Sequence, residues 1–337
     1  MTAPHRLVRW IASGLLCSSL LPALAAGGAA PASAAASTPT LDAAGWIARL
    51  NTAATERNYR GTMVYTAAGI VSSSRVAHAC TGDQVYERLE ALDGHEHRVY
   101  RHNDMVQTVW PHKQLVVVEQ RSATPGLVST KRRVEPRALD HYALEAGGSS
   151  IVAGRRARVL MLTPRDGLRF TQRLLADEAT GLLLRADVLD AGGRMLESSA
   201  FSEVEIGVGG NPADVLEGMS PPGYKVLASK REVVDWTAQG WRLRQDVPGF
   251  DLVGCLRRPA FGRDGETSAL QAMFSDGVSF VSLFIEPYSE QTHRRALAAQ
   301  VGATHTVMQR IGAHWITAMG DVPRETLEQF VGALEHR

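Results

Sequence analysis

The sequence predicts a β-rich α+β protein of two domains, a larger one built on a long antiparallel meander and a smaller α+β unit at the C-terminal end. Three observations carry this reading. Short extended runs recur along the chain, separated by turns of the Asp-Gly and Asn-Asp kind. A single interval, 207–223 (GVGGNPADVLEGMSPPG), is rich in Gly and Pro and poor in large apolar residues, which marks a linker. The length of 337 residues is that of about two domains.

Taken in order, the chain opens on a leader. His5, Arg6 and Arg9 precede an apolar run over 10–24, and Ala23-Leu24-Ala25 offers a small-residue cleavage site. The expected leader is residues 1–25, with further cleavage sites as far as Ala36. The run is shorter than the roughly 20 apolar residues of a membrane span, and Cys17 lacks the small residue that precedes a lipidated cysteine. An exported chain is expected.

Trp46, Ile47, Leu50 and Ala54 recur at helical spacing after Asp42, a suitable N-cap, and predict a helix over 41–57. Strands are predicted at 59–67, 71–79, 84–92, 96–101, 104–110 and 113–119, then at 157–163, 169–176, 182–189 and 195–206. Between the two sets, 136–146 reads as a short helix or a loop. The first domain is thus placed at 41–206 and the second at 224–337. The latter has strands at 241–246, 252–258, 269–275, 278–286, 305–311 and 314–319, a Ser275-Asp276-Gly277 hairpin turn, and a last helix over 323–334.

Composition narrows the function. The 36 basic and 35 acidic residues nearly cancel, and removing Arg6 and Arg9 with the leader leaves 34 basic, so a phosphate-neutralising nucleic-acid binder is not expected. Only four of the basic residues are Lys, at 113, 131, 225 and 230; the remaining 32 are Arg. That bias fits either base composition or bidentate anion recognition. No GxSxG, HExxH, phosphate loop or dinucleotide fingerprint occurs, so no enzyme and no cofactor are expected. His95-Glu96-His97 could put two imidazoles on one strand face, but it follows an Asp93-Gly94 turn and no third ligand is evident, so no metal is expected. Once Cys17 leaves with the leader, Cys80 and Cys255 either form a disulfide or stay as two free thiols. The basic runs Lys131-Arg132-Arg133 and Arg155-Arg156-Ala157-Arg158 read as solvated loops or strand ends, with anion recognition as the alternative.

Several segments, in order, resemble the MucB/RseB family of periplasmic regulators of the envelope-stress sigma factor. They are the strand Tyr59-Arg60-Gly61-Thr62-Met63-Val64-Tyr65, the hairpin side Leu89-Glu90-Ala91-Leu92-Asp93-Gly94, and Arg165-Asp166-Gly167-Leu168-Arg169-Phe170 followed by 182–190. In the second half they are Val247-Pro248-Gly249-Phe250, the stretch 274–286, and Gly320-Asp321-Val322-Pro323. The resemblance implies a curled, LolA-like half-barrel covered by helices, followed by a smaller α+β domain. It implies a periplasmic, non-enzymatic protein that binds the periplasmic domain of a membrane-spanning anti-sigma factor, protects it from regulated proteolysis, and is released by lipopolysaccharide or lipoprotein acyl chains. A lipid or lipoprotein carrier of the LolA type without anti-sigma binding is the alternative. Met63, Tyr65, Trp110, Leu160 and Phe170 are candidates for an acyl site, and Phe250, Arg257, Arg258, Phe284 and Tyr288 for the partner surface, with core packing as the competing role of Phe250 and Phe284. Self-association is left open.

Overall fold

The computed structural model describes residues 41–337 apart from 95, 121–133, 209, 229–230, 260–267 and 294–296. The expected leader, His95 and the run Lys131-Arg132-Arg133 therefore lie outside the described residues. Helix α1 (Ala43–Glu56) starts where expected, because the Asp42 carboxylate accepts the Gly45 N–H at 2.7 Å. Its apolar stripe of Trp46, Ile47 and Leu50 is buried against Tyr142, Leu160, Leu162 and Leu174.

The large sheet begins with a meander of β1 (Tyr59–Ala67), β2 (Ile70–Thr81), β3 (Gln84–Ala91), β4 (Arg98–His102), β5 (Met105–Trp110) and β6 (Leu115–Gln120). After a 3-10 turn at Pro136–Asp140 come β7 (Tyr142–Val152), β8 (Arg155–Pro164), β9 (Thr171–Asp177), β10 (Leu183–Leu189) and β11 (Met195–Ile206). The first strand pairs with the last, giving the order β12-β6-β5-β4-β3-β2-β1-β11-β10-β9-β8-β7, where β12 is Lys225–Ala228. Gly61 permits the β1–β11 junction, since a Cβ there would lie 2.3 Å from the Glu203 carbonyl oxygen.

The sheet curls without closing. Ala153, at the β7–β8 turn, lines one cavity with Arg75 of β2 and Glu203 of β11. In a flat sheet β2 and β8 would be roughly 24 Å apart at about 4.8 Å per strand. The apolar side chains inside the curl, among them Tyr59, Met63, Leu175, Leu184 and Phe201, form one buried cluster.

Three departures from the sequence reading have physical causes. Residues 142–152 form an edge strand, so the short helix or loop expected over 136–146 ends at the 3-10 turn; pairing with β8, with a bulge between Ala146 and Ser149, holds them extended. The expected linker holds a short helix, α2 (Pro212–Leu216), with Val215 buried, and the Glu217 carbonyl accepts the Tyr100 hydroxyl at 2.7 Å. Residues 225–228, expected at the start of the smaller unit, instead join the large sheet as β12, which pairs in parallel with β6 and breaks the wholly antiparallel pattern.

The smaller sheet comprises β13 (Glu232–Val233), β15 (Asp251–Pro259), β16 (Ser268–Ser275), β17 (Phe280–Pro287), β18 (Leu297–Val301), β19 (Thr304–Ile311) and β20 (His314–Gly320), ordered β13-β15-β16-β17-β20-β19-β18. Helix α3 (Arg324–Ala333) lays Leu327, Phe330 and Val331 on its inner face, against Phe274, Leu283 and Ile316. A short ribbon of β14 (Trp241–Leu243) and β21 (Leu334–His336) flanks it. There the rings of His314 and His336 lie 5.0 Å apart, both against Trp241.

Burial, and then the neighbouring His336, hold the His314 imidazole below its ordinary pKa. The unfolded chain therefore takes up this proton first as pH falls through about 6.5, so stability declines from there until the lower folded-state pKa is passed. Urea midpoints measured across this range should show that decline in the native chain, and His314→Gln should flatten it.

The arginine bias acquires a structural role. Arg60 and Glu205, Arg75 and Glu90, and Arg173 and Asp187 are register partners on adjacent strands, with N–O distances of 2.7, 3.0 and 2.7 Å. Such opposite-charge pairs across a ladder contribute roughly 0.2–1 kcal/mol each and favour one register.

Candidate binding surface

Consecutive strand residues point to opposite faces, and in the smaller sheet the two faces differ. The inner face is filled by α3. The outer face carries a cross-strand row of Gln271, Phe284, Thr317, Met308 and Leu297, each opposite the next in register. Beside it, Met273, Ser282, Met319 and Thr306 make a second row. Cations lie over its aromatic rings: the Arg258 guanidinium is 5.7 Å from the Phe284 centroid, and that of Arg310 is 4.0 Å from Tyr288. Tyr288 in turn approaches Trp315, on which His293 stacks at 5.0 Å. A face that mixes Phe284, Leu297 and methionines with Gln, Ser and Thr, and carries Arg258 and Arg310, suits a peptide that offers apolar side chains and carboxylates.

This geometry divides the five partner candidates. Arg258, Phe284 and Tyr288 come together on or beside the outer face. Arg257, one residue along β15, turns the other way, toward Glu232 at 3.5 Å and Gln239. Phe250 is a correction: it is only 5% exposed, packed edge-on against Phe330 at 5.6 Å in the core of the smaller sheet. Sequence reasoning missed Arg310 and Trp315, although their alternation in β19 and β20 placed them within reach of the same face.

The five acyl candidates are not brought together. Met63 lies in the cluster inside the curl, while Leu160 is on the α1 side of the sheet. Phe170 packs with Val188 and Ala303, its ring 5.9 Å from that of His305. Tyr65 and Trp110 are half-buried and belong to none of these clusters. Periodicity assigned each residue to a strand face but could not register which faces the curl turns inward.

Phe170 marks the junction of the two sheets, which is built on an ion pair. Arg169 Nε donates to Asp276 Oδ2 at 2.8 Å, and both side chains are fully buried. The same carboxylate accepts from the Tyr142 hydroxyl at 3.0 Å and from the backbone N–H groups of Val278 and Ser279 at 2.8 and 2.6 Å. Arg169 also reaches Asp166 and the Pro248 carbonyl, and its guanidinium lies 4.7 Å from the Phe250 centroid. Burial, then the Asp276 charge, push the Tyr142 phenol well above its ordinary pKa and keep it a donor. Thr326 Oγ1 on α3 donates to the Leu168 carbonyl at 2.8 Å, and Glu135 N–H donates to Gly277 O at 3.0 Å.

Cys80 and Cys255 are not joined in a disulfide in this structure. Cys80 approaches Asn58 Oδ1 at 3.2 Å, and burial pushes the Cys255 thiol up to about 11. No cluster of three metal-ligating side chains occurs among the described residues.

Residues 42–221 match the family model of the MucB/RseB N-terminal domain, and residues 235–335 match that of the MucB/RseB C-terminal domain. The chain belongs to the MucB/RseB family. It is 30% identical over 305 residues to the sigma factor AlgU regulatory protein MucB of Pseudomonas aeruginosa, covering 87% of this chain and 90% of that one. It is 25% identical over 314 residues to the sigma-E factor regulatory protein RseB of Haemophilus influenzae, covering 90% and 95%. The crystal structure of MucB in complex with MucA(peri) superimposes with a TM-score of 0.68 at 26% identity, over 88% of this chain and 99% of that chain. The family resemblance read from the scattered segments is thus borne out, and these relatives carry the names of regulators of sigma factors.

Proposed function

We propose that this chain is a periplasmic regulator that binds the periplasmic domain of a membrane-spanning anti-sigma factor and shields it from the protease that begins its degradation. The observation that carries this reading is the likeness, over 99% of its length, to a MucB chain solved with MucA(peri). The arginine-rimmed outer face of the smaller sheet supplies a surface of suitable chemistry, with Phe284 under Arg258 as its anchor. Shielding follows from occupancy, since a segment laid on a sheet face is withheld from a protease cleft.

Release by lipopolysaccharide or a lipoprotein acyl chain requires that the ligand favour the partner-free form, by a coupling of typically about 1–3 kcal/mol. Acyl entry into the large sheet would displace side chains of the packed Met63, Leu175 and Phe201 cluster. The contact of Phe170 with Ala303 and His305 offers a path from that sheet to the smaller one. A carrier working through the first sheet alone is disfavoured by this packing, because the Arg169–Asp276 pair is buried only when both sheets are present.

Calorimetric titration of the full chain with the periplasmic fragment of its anti-sigma factor tests the reading. Phe284→Ala and Arg258→Glu should each weaken binding by about 2 kcal/mol, roughly 30-fold, with an unchanged melting temperature. No binding by the native chain at micromolar concentration would sink the reading.

A further inference from the structure

The two sheets end on four edge strands, and three carry a feature that discourages another strand from adding. The β7 edge is bulged between Ala146 and Ser149, around Gly147 and Gly148. The β12 edge is four residues long and opens with Lys225, and β13 is two residues long with Glu232 in it. Short length, bulges and charge are how native sheets protect their edges. The β18 edge, five residues long, carries neither a bulge nor a charge. Its sequence, Leu-Ala-Ala-Gln-Val, holds no charge and no proline, its register with β19 is regular, and every residue is exposed, Leu297 by 55% and Val301 by 54%.

We propose that β18 is a strand-addition site, at which an extended segment of the anti-sigma factor's periplasmic domain pairs with the free edge of the smaller sheet. The inference rests on the partner proposed above and names the surface and backbone mode by which it is held. Leu297 continues the outer-face row of Met308, Thr317 and Phe284, so alternate side chains of an added strand extend that apolar face. Arg310, the next outward residue on β19 after Met308, sets positive charge beside it, which calls for a segment with carboxylates among its apolar residues.

At its other end the strand runs onto the large sheet. A Cβ on Gly302, in the β18–β19 turn, would lie 2.7 Å from Ala67 Cβ at the end of β1. Ala67 pairs with Ile70, which is 58% exposed and followed by the exposed Val71. A segment paired along β18 is thereby led to apolar side chains of the β1–β2 hairpin and touches both sheets, as a partner sensitive to the state of the large sheet must.

The turn geometry gives a selective test. A two-residue turn at Gly302-Ala303 makes Val301–Thr304 and Ala299–Thr306 the bonded pairs, so the N–H and C=O groups of Ala298 and Gln300 face outward. Ala298→Pro then removes an outward donor while leaving the β18–β19 ladder intact. Val301→Lys adds charge to the same edge. Titrations of the full-length variants with the anti-sigma periplasmic fragment should show binding weakened about tenfold or more by each, with the circular-dichroism melt unchanged. If Ala298→Pro does not fold, Val301→Lys decides alone. Native binding with both folded variants within twofold of it overturns the edge and leaves the partner reading standing. Failure of the native chain to bind takes both down. If sedimentation instead shows a native dimer that Ala298→Pro abolishes while fragment binding persists, the edge belongs to a second copy of this chain and the inference is wrong.

Discussion

Asp276→Ala should lower the unfolding free energy by about 3–5 kcal/mol, a large part of the roughly 5–15 kcal/mol that holds a domain folded. The size follows from what is left behind. Arg169 remains fully buried with its Nε unpaired, and its remaining partners are Asp166 and the Pro248 carbonyl. The Tyr142 hydroxyl and the N–H groups of Val278 and Ser279 lose their acceptor as well. Each such orphaned group costs its desolvation, which a surface pair never pays. Asp276→Asn keeps an acceptor in place and should cost less, while Arg169→Met removes the charge and should cost less than Asp276→Ala. Urea unfolding of the three variants checks the ranking, and equal loss in all three would show that the charge is not what matters.

This junction was the least legible part of the chain. Ser275-Asp276-Gly277 has the composition of an exposed hairpin turn, and it is indeed a turn, but Glu135, Arg137 and Ala138 cover it and bury Asp276 completely. Likewise Arg169, read as the first residue of a strand, precedes β9 and turns into the interface. Local pattern determines the hairpins well, which is why β1 and β11 begin and end where expected, each alternating apolar run closing at a turn residue. It carries nothing about what a turn packs against. The strands that escaped notice, β7, β12, β13, β18 and the three-residue β21, all lie at sheet edges, and the exposed positions of the first four lack the alternation that one-sided burial imposes on inner strands. The outer face of the smaller sheet lay between these cases: residue type alone nominated Arg258 and Phe284 together with Arg257 and Phe250, whereas telling which of them share that face required knowing which face each strand turns to α3.

Phe250 and Phe284 supply the sharpest contrast between structure and binding. Phe250→Ala should cost about 3–5 kcal/mol of stability, because the ring is buried edge-on against Phe330 and a cavity would open between α3 and the sheet. The loss extends further than the aliphatic core, since the ring also lies under the Arg169 guanidinium and helps to hold the ion pair between the sheets. The variant should therefore bind an anti-sigma fragment poorly only in proportion to the fraction unfolded, with near-native affinity recovered wherever the fold is retained, for instance at low temperature or in a stabilising osmolyte. Phe284→Ala should behave in the opposite way, with binding lost and the urea midpoint kept. Measuring affinity and midpoint for both residues separates the two roles. If Phe250→Ala leaves the unfolding free energy within about 0.5 kcal/mol of native, the ring is not the core element its contacts indicate. If Phe284→Ala lowers the midpoint as much as Phe250→Ala does, the outer face is stabilised by Phe284 and its use as a docking surface loses its support.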